Sequence, residues 1–207
     1  MTIHSLYIFD RHCTCVYYQD WHRTRRPKPA AEGGLLPAVS QDVSAKSATG
    51  SNPNSNRNTL TSNTGIVVAV NEQPTPNQLL QTTGPPLTST GLAFDEEAKL
   101  VYGVILSLRN MVRKLSGKDD EQFLGYRTNT YKLHLFETAS GYKLVMLTDP
   151  NITDNLRLVL RQIYLGPFLE YVTRNPLSTM DSKEFGIDNE YFRQSIHNMV
   201  SGLTGFN

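Results

Sequence analysis

Two cysteines and five histidines carry the least generic chemistry in this 207-residue chain. Cys13 and Cys15 stand two apart, with His12 beside them and His22 further on. A zinc site of Cys/His type joins two ligand pairs across a turn. Here both thiols fall within CTCVYYQ, an alternating apolar run that reads as strand, so they are expected as small buried side chains and no metal site is assigned. Residues two apart on a strand point to the same side and bridge poorly, and no third cysteine exists, so no disulfide framework is expected. His134 lies in YKLHLFE and is expected as a strand residue hydrogen-bonded to its neighbours, not as a general base. Histidines 4, 12, 22, 134 and 197 do not pair with acids at a telling spacing. The sequence has no glycine-rich phosphate loop ending in Lys-Ser/Thr, no G-x-S-x-G, no H-E-x-x-H and no dinucleotide fingerprint. No catalytic, metal-ligating or cofactor-binding residue is assigned, and the chain is not expected to be an enzyme.

Charge is the next candidate. Arg23, Arg25, Arg26 and Lys28 follow the aromatic run VYYQDWH, yet the net charge of the whole chain is only +1. A dedicated nucleic-acid binder has a strongly basic balance, and neither an RRM nor an OB consensus accompanies the aromatics, so nucleic acid is not an expected partner. Arg25, Arg26 and Lys28 fit two readings. One is solvated linker charge, the commoner origin of such runs. The other is weak attraction to an anionic membrane, at about 1 kcal/mol per basic residue near the surface. No apolar run approaches the ~18 residues that cross a bilayer, and MTIHSLYIFD lacks the layout of a secretory signal. A cytosolic or peripheral-membrane location follows as an expectation, which leaves the sequon at Asn151 with little meaning.

These residues need a frame to hold them. From 24 to 93 the chain has no Phe, Tyr or Trp and holds most of the prolines, with runs such as SATGSNPNSNRNTLTSNTG. Such composition buries too little apolar surface to offset the entropy of ordering, so 24–93 is expected as a disordered insertion, GIVVAV at 65–70 being its one apolar exception. Residues 1–23 and 94–207 are expected to form a single domain. IHSLYIF and CTCVYYQ read as a hairpin across DRH. DEEAKLVYGVILSLRNMVRKLSG reads as a long helix capped by Asp95 and stopped by Gly117. Its residues Val101, Val104, Ile105, Leu108, Met111, Val112 and Leu115 repeat at three- and four-residue intervals and are expected to form one buried face. FLGYRT, TYKLHLFET and YKLVMLTD read as three strands, the last two joined through Gly141. Tyr131, Leu133 and Leu135 should share one face, Leu144 and Met146 another. A helix over 154–174 should kink or divide at Gly166-Pro167, and a last amphipathic helix covers 189–203. The fold class is α+β, an antiparallel sheet covered by helices.

With the elements in that order, SLYIFDRHCTCVYYQDWHR, KLVYGVILSLRNMV, TNTYKLHLFETASGYKLVMLTDP, EYVTRNPL and YFRQSIHNMVSGL together resemble the subunit-1 family of small longin-type core subunits of the TRAPP vesicle-tethering complex. The resemblance covers nearly everything outside 24–93. It implies a longin (profilin-like) fold, with five antiparallel strands, the long first helix on one face and the later helices on the other. It further implies a core whose assembled surface promotes guanine-nucleotide exchange on a Rab-type GTPase of ER-to-Golgi traffic, related complexes serving autophagy. Implied partners are a synbindin-like longin subunit, the palmitoylated-fold small subunits and, through the assembly, the GTPase, at Golgi and endoplasmic reticulum membranes. Longin pairing through the first helix and the neighbouring edge strand puts candidate interface residues at Tyr102, Leu106, Asn110, Phe123, Gly125 and Arg127. The alternative is another longin-type adaptor, a SNARE-like regulator or coat small subunit. Three features depart from the family: His12-Cys13 stands where relatives carry an Asn-Gly-like turn, Gly166-Pro167 interrupts a helix, and the long insertion follows the second strand.

Overall fold

Period-two alternation places five segments in one antiparallel sheet. The computed structural model describes residues 2–22, 26–28, 36, 39, 89–117, 121–152, 156–177 and 185–203. Its strands, in chain order, are β1 (Ile3–Phe9), β2 (Cys15–Asp20), β3 (Arg26–Lys28), β4 (Ser89–Ala93), β5 (Gly125–Arg127), β6 (Lys132–Glu137) and β7 (Lys143–Thr148). The main sheet runs β2-β1-β7-β6-β5, so β2 and β5 are its edges. Side chains alternate as the pleat requires. Tyr7, Phe9, Leu133, Leu135 and Val145 build one core, and Leu6, Ile8, Leu144 and Met146 belong to the other. The expected split of Leu133 and Leu135 from Leu144 and Met146 is what the structure shows.

The first hairpin turns later than CTCVYYQ suggests. The Asp10 carboxylate accepts the backbone N–H groups of His12 and Thr14, each at 2.8 Å, which carries the turn through residue 14 before β2 begins. Cys13 is therefore exposed, at φ +71°, and only Cys15 is buried, its thiol pushed up to about 12 by desolvation. The expectation of two buried thiols is corrected at Cys13.

Helix α1 (Phe94–Ser116) lies on the first core. Asp95 is not its N-cap: Ala93 holds that position in extended geometry, because the Phe94 ring is drawn into the core against Tyr18, 4.5 Å between ring centres, and starts the helix two residues early. Asp95, Glu96 and Glu97 then sit in the first turn, favourable to its exposed N–H groups. Gly117, at φ +65°, ends the helix in the left-handed conformation that glycine adopts without strain.

On the opposite face lie α2 (Leu156–Ile163), the π-helical segment that continues it (Tyr164–Thr173), and α3 (Glu190–Ser201). The interruption expected at Gly166-Pro167 takes the form of a change of pitch, without division. Proline offers no N–H, and its ring crowds the carbonyl four residues back. The wider i→i+5 turn accommodates it, seen where the Arg174 N–H reaches the Leu169 carbonyl at 2.9 Å. Phe168 in this segment packs on Tyr142 and Phe192. Asn189 caps α3, its Oδ1 accepting the Phe192 N–H at 3.3 Å, while its Nδ2 donates to the Tyr171 carbonyl at 3.2 Å.

The long insertion sits between β2 and α1, and both of its ends belong to the fold. β3 and β4 pair in parallel, Arg26 opposite Ser89 and Lys28 opposite Ala93. Val39 is 1% exposed in the core under α1, and Leu36 packs beside it. The polar average of a long window conceals these two apolar anchors. GIVVAV and most of the 24–93 stretch lie outside the described residues.

Candidate subunit interface

The structure distributes the six interface candidates over α1, β5 and, for Phe123, the segment that leads into β5. Tyr102, Leu106 and Asn110 recur every four residues along one flank of α1. Tyr102 is half-buried, its ring edge-on to Phe9 at 5.5 Å with the Lys143 ammonium 5.4 Å from its centre. Burial foremost, then the Cys13 thiol beside it, pushes its phenol up to about 12. Leu106 and Asn110 are exposed. Phe123 is half-buried and stacked 6.5 Å from Tyr126. Gly125 answers to its own sheet: a Cβ there would run into the Leu133 carbonyl oxygen of the adjoining strand. Arg127 is exposed on the edge strand, opposite Lys132. Of the basic cluster, Arg25 lies outside the described residues. Arg26 and Lys28 contribute backbone to β3, and their side chains are likewise outside them.

The largest departure from expectation is the apolar stripe of α1. Of Val101, Val104, Ile105, Leu108, Met111, Val112 and Leu115, only Ile105 is buried. Val101, Leu108 and Val112 are half-covered, while Val104, Met111 and Leu115 are 40%, 49% and 80% exposed, as is Leu100 at 57%. Phe94, Ala98 and Ile105 suffice to seat the helix on its sheet. The signal was available in the width of the pattern. With 100° between residues, the apolar positions from Leu100 to Leu115 spread well beyond the strip that one sheet covers.

Ion pairs fix how α1 presents this surface. Arg109 on α1 pairs with Glu137 at the end of β6, 3.1 Å, and Lys143 approaches the same carboxylate at 3.8 Å. Lys143 is almost fully buried and also donates to the Gly141 carbonyl at 3.2 Å. A charge so deep needs those partners and the Tyr102 ring together. His134 is a buried strand residue 3.1 Å from the Thr148 hydroxyl, as expected, and burial then the Lys132 charge hold its imidazole down at about 4. Among the described residues no group of three or more His, Cys, Asp or Glu side chains is placed to hold a metal ion. No described helix is long and apolar enough to cross a membrane.

A five-stranded antiparallel sheet, with one long helix on one face and two later helices on the other, is the arrangement the sequence resemblance implied. Residues 3–203 match the sybindin-like family, and the chain belongs to it. It is similar, at 31% identity over 209 residues and the full length of both chains, to transport protein particle subunit bet5 of Schizosaccharomyces pombe. It is 28% identical over 207 residues to trafficking protein particle complex subunit 1 of Homo sapiens, covering 100% of this chain and 97% of that one. With trafficking protein particle complex subunit BET5 of Saccharomyces cerevisiae it shares 28% over 185 residues, 89% of this chain and 80% of the relative.

Proposed function

We propose that this chain is a non-catalytic core subunit of a TRAPP vesicle-tethering complex and joins its neighbours through α1. The observation that carries the reading is the row of large apolar side chains left open on α1, in a helix otherwise well seated. Contiguous exposed apolar surface of this kind marks a protein–protein contact. Full-length similarity to proteins named as subunits of the particle supports the same assignment. In this reading the assembled core promotes nucleotide exchange on a Rab-type GTPase of ER-to-Golgi traffic, at Golgi and endoplasmic reticulum membranes. Its neighbours are a synbindin-like longin subunit and the palmitoylated-fold small subunits. Exchange is then differential binding: the assembly favours the nucleotide-poor GTPase over the loaded one, and this chain makes or breaks no bond.

Affinity purification of the tagged full chain from its source cell, with mass spectrometry of what comes with it, tests the assignment. The expected result is the set of TRAPP small subunits, with exchange activity in the purified complex and little in the isolated chain. Recovery without any TRAPP subunit, or strong acceleration of nucleotide release by the chain alone, would refute it.

A further inference from the structure

Where β2 ends, the chain is held from two sides by histidines with opposite needs for a proton. Trp21, the one tryptophan of the chain, packs against the core beneath α3, and its indole Nε1 lies 3.2 Å from Nδ1 of His197 on that helix. An indole nitrogen only donates. Nδ1 of His197 must therefore accept, which it does only when it carries no proton. The proton of the neutral ring then sits on Nε2, 3.4 Å from the Ser201 hydroxyl oxygen, which can receive it. One neutral tautomer satisfies both contacts. The imidazolium sets N–H against N–H at Trp21 and breaks the first of them.

His4 on β1 has the reverse requirement. The Trp21 backbone N–H donates to the His4 carbonyl at 2.9 Å, which brings the His4 ring beside the same end of β2. Its Nδ1 is 3.4 Å from the His22 carbonyl oxygen, and its Nε2 is 3.1 Å from the Asp149 carboxylate. Both neighbours are acceptors, so each needs a proton from the ring. A neutral His4 serves one of them; the imidazolium serves both.

We propose that His197 and His4 form a pH-sensitive switch on the end of β2. With His197 neutral, Trp21 is tied to α3. Protonation frees Trp21 from α3, while the charged His4 grips Asp149 and the His22 carbonyl and keeps the strand end on its sheet. His197 and Ser201 are exposed, so water delivers the proton directly. The titratable groups that face this node are few. The sheet end brings His4, His22 and Asp149, with Asp20 one residue before Trp21. On α3, Arg193 stands one turn before His197 and is held by Asp188 at 2.8 Å and Glu190 at 3.4 Å. The π-helical segment brings Tyr171, which stacks on Tyr191 nearly two turns from His197. Trp21 and His22 are the last described side chains before the insertion, so the switch acts at its root. It depends on the fold and not on the subunit assignment.

The test is a pH titration of the full chain by NMR, in which a single tryptophan gives a single indole N–H resonance. Between about pH 8 and pH 5, the range in which histidines change charge, that resonance should move upfield as its acceptor is lost, with the midpoint of the His197 ring. His197→Gln offers a carbonyl that accepts and takes no proton, so the resonance should keep its alkaline position throughout. His197→Arg, cationic at every pH, should hold it at the acid position. Neither variant removes a buried side chain, since His197 is exposed. Asp149→Asn weakens the second hold, and exchange of the Trp21 amide should rise about two- to fivefold over wild type at about pH 5.5 and hardly at all at about pH 8. A flat wild-type titration, a midpoint that follows His22, or a transition that survives in His197→Gln would overturn the switch. So would an alkaline-type resonance in His197→Arg, or an Asp149→Asn effect equal at both pH values.

Discussion

The two faces of the sheet are closed to different degrees. Beneath α2, the π-helical segment and α3, Leu156, Leu160, Ile163, Phe168, Val172, Phe192, Ile196 and Val200 all lie in one core with residues of β1, β2 and β7. On the other face, α1 is the longest helix and yet buries only Phe94, Ala98 and Ile105. The first face puts most of its apolar side chains into folding, with Leu158, Leu165 and Tyr191 left exposed. The second divides them, a narrow strip holding the helix down and a wider one facing outward. On the proposed reading, stability and assembly are written on opposite sides of one sheet, and substitutions should separate them.

The largest expected effect is at Phe192, fully buried between Tyr17 and Phe168. Phe192→Ala should lower stability by about 3–5 kcal/mol in denaturant unfolding, whereas Leu100→Ala should change it by less than about 0.5 kcal/mol. Equal losses would erase the distinction between the faces. Gly125→Ala comes next. Its Cβ meets the Leu133 carbonyl, and a loss of about 1–3 kcal/mol is expected in the same assay. A neutral outcome would free Gly125 for the interface role first assigned to it.

His134 provides a pH test of the closed face, since alternation turns it away from Leu133 and Leu135. Its folded value, about 4, lies below the ordinary 6.5, so between those values the unfolded chain binds a proton that the folded site refuses. Stability is full above that window and falls as pH drops through it. The loss is on the order of 1–2 kcal/mol once solvent screening is allowed for. His134→Gln should flatten this slope in melting curves taken across the window; an unchanged slope would place the acid sensitivity elsewhere. A smaller effect than those at Phe192, Gly125 and His134 lies at the hairpin tip, apart from both faces. Cys13→Gly relieves a left-handed residue and should raise stability by about 1 kcal/mol. A decrease would mean that the Cys13 side chain contributes more there than its backbone strain removes.

The sheet was legible because alternation is a local property: each strand displays its two faces in its own residues, as LYIF and KLHLF do. The α1 stripe was legible as apolar but not as open, because periodicity reports that a face avoids water and not which body covers it. Cys13 was misplaced because the turn is set by one side chain, the Asp10 carboxylate, and leaves the composition of the run unchanged. Val39 was hidden for the opposite reason, as a single anchor in a long polar context. Of the candidate site, helix and edge strand could be read from the resemblance; the row from Leu100 to Leu115 required exposure, which only packing determines.

Asn189 gives the closed face a further property. One short amide accepts from the first turn of α3 and donates to the Tyr171 carbonyl near the end of the π-helical segment. A carboxylate could take the first role and not the second, since it has no proton to give. Start of one helix and exit of the other are therefore soldered at a single residue, and α3 cannot lift without surrendering either its cap or the tether. Hydrogen exchange in these two elements should consequently run in step, as one opening event with one free energy.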